Sequence, residues 1–231
     1  MKTLPPSTMP YGPDYVQALA KIRGQRRNLA LLVILALLTQ IVLWLLLKFE
    51  VIQAEGTGSV FVEGVYSLSN FGQTGQLMHF VFLLTTFIAV VCSAMLVVVL
   101  VIQALLLLQD RRTGVAATTS AAGLAILLTM LCLPWQTFYE VRPYVGGYVG
   151  LPGATTTFAE VASYGLRQPE GTLQQVLHWG RFLIYPLFAL VVAFVALAKS
   201  GKPTKVAAEE AEAEERAEER LADGSYDEAT V

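Results

Sequence analysis

Charge is scarce in this chain. Asp, Glu, Lys and Arg make up 15% of its 231 residues, where a soluble domain carries about a quarter. Cysteine and histidine are scarcer still, with two of each. Two cysteines cannot staple a secreted disulfide domain, and with no CxxC or HExxH pattern they do not form a zinc-type ligand set. A net charge of −2 supplies no electrostatic footprint for nucleic acid. GxGxxG, Walker and GxSxG patterns are also missing, so soluble nucleotide and acyl-transfer chemistries lack their residues. Gly146, Gly147, Gly150 and Gly153 read as turn residues, since no helix start follows them directly.

What is abundant is apolar sequence, 55% of the chain, gathered into long runs. A run of about 18 residues crosses a ~30 Å hydrocarbon core as a helix. Four runs qualify or nearly so: 29–47, 77–108, 115–135 and about 177–198. The first exceeds the ~7–15 apolar residues of a signal peptide and no small-residue cleavage site follows it, so it reads as a retained span. The expected fold is an all-α membrane protein, a four-helix transmembrane bundle. It is preceded by an N-terminal segment, 1–28, and followed by an acidic tail, 199–231.

Lys and Arg placement sets the expected orientation. Lys21, Arg23, Arg26 and Arg27 precede the first span, Arg111 and Arg112 sit between the second and third, and Lys199, Lys202 and Lys205 follow the fourth. Both termini are therefore expected in the cytoplasm of a cell with a plasma (inner) membrane, and loops 49–76 and 136–171 outside. Within those loops, 58–71 and 138–150 mix β-branched and aromatic residues with Gly and Asn, which predicts a small, partly β cap.

Local signals refine the picture. Thr172 and Gln175 fit a capping box opening the fourth helix. Ala117, Ala121 and Ala125 repeat every four residues in the third, a spacing that lets helices approach closely in lipid. Residues 207–222 have helix-forming composition but almost no apolar face, with Glu212 and Arg216 at favourable spacing; they read as a solvated tail.

Chemistry is harder to find. Ionisable residues at bilayer depth are costly and mark transport or catalysis, yet the central parts of all four spans carry none. Their polar residues are Thr39, Gln40, Thr85, Thr86, Ser93, Gln103, Thr118, Thr119, Ser120 and Thr129, of a kind that bonds within or between helices. Gln40, one turn from Trp44, is the foremost candidate for packing.

His79 and His178 are the only candidate haem ligands, in the manner of a b-type cytochrome. Their helix positions oppose it. His79 lies about 46 Å above Asp110 and His178 about 32 Å above Lys199 at 1.5 Å per residue, so solvated interfacial histidines are the plainer reading. Cys92 and Cys132 are equidistant from Arg112 in the turn between spans two and three. They are expected level with each other across a helical hairpin, as small apolar packing residues.

No cofactor or metal is expected from these residues. The functional expectation is a non-catalytic accessory or scaffold subunit whose partners are the lipid bilayer and other membrane-protein subunits. A haem- or quinone-binding redox subunit and a channel or carrier for an uncharged solute are the alternatives.

Overall fold

The computed structural model describes residues 13–52, 72–109, 115–135, 153–166, 171–201 and 216. Every regular element among them is helical. Helix α1 is Pro13–Lys48, α2 is Gln73–Gln109 and α3 is Val115–Cys132. The fourth long helix, α4, runs Thr172–Gly201. All four contain stretches long and apolar enough to cross a membrane.

The helix ends have local causes. Proline at the first position of α1 needs no N–H partner there. At the other end Glu50 adopts a left-handed φ of 56°, and the amides of Glu50 and Val51 bond back to the carbonyls of Leu47 and Leu46. This is the arrangement glycine usually provides. Helix α3 stops at Cys132 rather than near Trp135, because Pro134 disfavours helical geometry in the residue before it. The predicted capping box at Thr172 does not form. Gly171, at φ 91°, is the N-cap, and no side chain caps the helix there.

In α4 the residues Gly180–Ile184 form a π-turn, in which the Tyr185 amide bonds the Gly180 carbonyl. Pro186 follows directly and has no N–H to offer Phe182, so the ladder widens where a hydrogen bond is already missing.

One interior apolar cluster runs along the bundle, built from Val33, Leu37, Leu96, Leu100, Ala121, Ala125, Leu128 and Ala193. Of the predicted small-residue row, Ala121 and Ala125 are fully buried and Ala117 is half-buried. The outer surfaces of the helices remain apolar, as at Leu35, Leu83, Phe87 and Phe194, which suits contact with lipid.

The largest departure from expectation concerns the loop before α4. Residues 153–166, part of the loop expected outside, pack into the helices instead of running free of them; most of their side chains are buried. The segment enters one end of the bundle with one α-turn, Phe158–Glu160, and one π-turn, Val161–Gly165. A second apolar cluster surrounds it, with Phe158, Val161 and Ala162 against Trp44, Leu47, Met78, Phe82 and Phe182. The first three residues of the expected tail, Lys199, Ser200 and Gly201, instead continue α4; the expected β structure at 58–71 and 138–150, and the rest of the tail except Arg216, lie outside the described residues.

Candidate functional site: a polar core around the inserted segment

The inserted segment is held by hydrogen bonds from all four helices. Its entry satisfies the end of α3: the Ala154 amide bonds the Leu131 carbonyl at 2.6 Å, and Thr155 Oγ1 donates to the Cys132 carbonyl at 2.8 Å. Carbonyls in the last turn of a helix have no intrahelical partner, and here the segment supplies one. Thr157 then caps the short turn, its Oγ1 accepting from the Glu160 amide at 3.2 Å.

Gln40 joins α1, α2 and the segment. Its Nε2 donates to Thr85 Oγ1 at 3.1 Å and Thr86 Oγ1 at 2.8 Å, and its Oε1 accepts the Thr156 amide at 3.2 Å. Thr86 Oγ1 donates onward to the Thr156 carbonyl at 3.4 Å. Eight residues separate Gln40 from Lys48, about 12 Å of helix, so the segment reaches well below the helix end. One turn on, Trp44 Nε1 donates to the Gly165 carbonyl at 3.3 Å, and Lys48 Nζ to that of Leu166 at 3.5 Å.

Helix α4 contributes Arg181. Its Nε donates to Glu160 Oε1 at 2.7 Å and its Nη2 to Oε2 at 3.0 Å. Nη2 also reaches the Thr155 carbonyl at 2.9 Å, and Nη1 donates to the Gly153 carbonyl. The side chains are 2% and 8% exposed. A buried charge is tolerated when paired and fully hydrogen-bonded, and both conditions are met. Chemically, the arrangement positions a backbone segment; it pairs no nucleophile with a base.

The predicted site residues fall as follows. Gln40 stands at the centre of the polar core. His178 is not a solvated interfacial histidine but 2% exposed. Its ring lies 6.0 Å from Trp44, 5.2 Å from Phe182 and 6.5 Å from Trp179, and Trp44 and Phe182 stack at 5.5 Å. His79 is half-buried, with Phe158 edge-on at 6.5 Å. The two imidazoles thus have different ring neighbours. Among the described residues no group of three or more His, Cys, Asp or Glu is placed to hold a metal ion. Cys92 and Cys132 are free thiols. Cys132 is bonded to Ser93, the neighbour of Cys92, so the two cysteines stand at the same level of the α2–α3 pair.

Neither Glu160, within the loop 136–171, nor Arg181, near the start of the fourth apolar run, stands out in the sequence as one of a pair. A signal was present: Thr157-Phe158-Ala159-Glu160 is a capping-box pattern in a stretch of small and hydroxyl residues. Comparison with family models, curated proteins and solved structures found no match to this chain.

Proposed function

We propose that this chain is a non-catalytic accessory or scaffold subunit of a larger membrane assembly. The observation that carries the reading is the use made of its buried polar groups. Gln40, Thr85, Thr86, Glu160 and Arg181 are hydrogen-bonded to one another or to the inserted backbone, and Thr155 to the end of α3, so the buried polarity serves the fold. Transporters and intramembrane enzymes keep such groups for substrate or proton.

The channel alternative gains nothing from the interior. Between Ser93 and Gln103 the α2 face is filled by Leu96 and Leu100, packed with Leu37, Leu128 and Ala193, which leaves an apolar seal. The rings around His178 likewise give no support to the haem reading.

In this proposal the chain lies in a plasma (inner) membrane with both termini cytoplasmic, as the Lys and Arg distribution favours. The loops at 53–71 and 136–152, the acidic tail and the apolar helix faces are the surfaces that meet partner subunits. Purification of the tagged full chain from native membranes in mild detergent, with crosslinking and mass spectrometry, tests the association. A stoichiometric membrane-protein partner is expected; a monomer without one contradicts the proposal, and a Soret band favours the redox reading. Reporter fusions after Arg112 and at the C-terminus are expected on the cytoplasmic side, and fusions at 55–70 opposite.

A further inference from the structure

Helix α1 outruns its neighbours at the end of the bundle far from Glu160. Arg26 marks the level there. Its Nη1 donates to Gln103 Oε1 of α2 at 3.1 Å and to the Ser200 carbonyl of α4, and Gln103 Nε2 continues to Thr118 Oγ1 of α3 at 3.5 Å. Among the described residues α2 continues six positions past that level, α3 three and α4 one. Helix α1 continues thirteen, about 20 Å.

Over 20–28 one side of α1 is exposed, with Ala20, Lys21, Gln25, Arg27 and Asn28. Gly24 lies three positions from both Lys21 and Arg27, so it shares their side of the helix. An added Cβ there would meet no atom within 4 Å. The surrounding charge is positive, since residues 13–28 hold Lys21, Arg23, Arg26 and Arg27 against Asp14.

The chain leaves α4 at this same level, because Ser200 is the residue bonded to Arg26. Eight positions past Gly201 stands Glu209, the first of seven glutamates in 207–222, where only Arg216 and Arg220 are basic. Eight residues reach at most about 28 Å and average about 15 Å as a flexible coil. Lys21 lies only about 8 Å along α1 from Arg26. The tether therefore holds the glutamates near Lys21 and Arg27 at a millimolar effective concentration. Lys202 and Lys205 repel the same face, so the contact begins beyond them.

We propose that residues 207–222 turn onto α1 and lie along its exposed face over 20–28, their glutamates paired with Lys21 and Arg27. A single exposed ion pair contributes little and is screened by salt; several glutamates sharing two cations at the end of a short tether make the contact. The bare backbone at Gly24 lets an alanine-rich stretch come close between the two charges. This contact needs no partner subunit, and a basic protein surface reaches the tail only by displacing α1.

The test is carbodiimide coupling of lysine amines to carboxylates in the detergent-purified full chain, read by peptide mass spectrometry on an equal mixture of nitrogen-15-labelled and unlabelled protein. Amides joining Lys21 to glutamates of 207–222 within one chain are expected at low ionic strength. They should fade at about 1 M salt, where charges are screened within about 3 Å. Arg27→Gln, an exposed change, is expected to lower their yield about two- to fivefold, the worth of one exposed pair. Arg111→Gln with Arg112→Gln is expected to leave the yield unchanged. Absence of the Lys21 amides at low salt overturns the proposal, as do amides found only between labelled and unlabelled chains. An undiminished yield in Arg27→Gln also overturns it, and so does a loss confined to the Arg111 and Arg112 variant, which would place the tail on the turn between α2 and α3.

Discussion

Arg181 grips both carboxylate oxygens of Glu160, at 2.7 and 3.0 Å, although 21 positions separate them in the chain. The contact joins the last helix to the segment that precedes it, in a setting from which water is nearly excluded. Breaking one side of such a pair strands a buried charge, at a cost of about 3–5 kcal/mol, while removing both charges can be far less harmful. Glu160→Gln and Arg181→Met should each lower the unfolding temperature in detergent markedly. The double variant Glu160→Leu with Arg181→Met should recover part of the loss. Recovery stays incomplete because the Gly153 and Thr155 carbonyls lose their donor. A double variant no more stable than Arg181→Met alone contradicts this account.

Gln40→Leu conserves approximate volume and deletes three hydrogen bonds between α1, α2 and the segment. Interhelical bonds in membranes contribute about 0.6 kcal/mol each on average, so a loss of about 2 kcal/mol is expected. Thr39→Val is the control one residue away. Thr39 Oγ1 bonds only the Leu35 carbonyl of its own helix, and the change should stay within about 0.5 kcal/mol. Equal unfolding temperatures for the two variants would remove Gln40 from the centre of the core.

Two glycines should respond in opposite senses to alanine. A Cβ on Gly165 would stand 3.2 Å from the Phe182 ring and from Trp44 Nε1, inside the stacked aromatic cluster. Overpacking there should cost about 1–3 kcal/mol. Gly24 lies in the body of α1 with no atom within 4 Å of an added Cβ, so alanine should gain up to about 1 kcal/mol of helix propensity. Thermal unfolding of the two single variants decides the matter.

The cysteines supply a separate check. Cys132 is fully buried and Cys92 half-buried, neither in a disulfide. A membrane-permeant maleimide should therefore label Cys92 first in the folded protein and reach Cys132 only as the bundle loosens on heating. Equal labelling rates at low temperature, read by peptide mass spectrometry, would contradict the packing of Cys132 against Ser93.

The long helices were legible because the bilayer imposes a length and an apolar composition that a single sequence records directly. Gln40 was legible as well, being a lone amide amid leucines. The inserted segment was not. Its burial depends on groups far away in the chain, Gln40 116 positions from Thr156 and Trp44 121 from Gly165, and pairing over such separations leaves no periodic trace. The stretch 153–166 also has too few apolar residues to read as a span. His178 was misplaced for the same reason: its burial comes from Trp44 on α1 and Phe182 on the next turn of its own helix.

The reliance of Glu160 on Arg181 has a consequence for biogenesis. The carboxylate leaves the ribosome before the guanidinium that neutralises it. An unpaired carboxylate is costly to bury, so seating of the segment is expected to be favoured only once α4 brings Arg181 to it. Closure of this end of the bundle thus depends on its last helix. A chain stopped before residue 181 would hold three spans and no partner for Glu160, and with the segment unseated the Leu131 and Cys132 carbonyls would lose the cover that Ala154 and Thr155 give them.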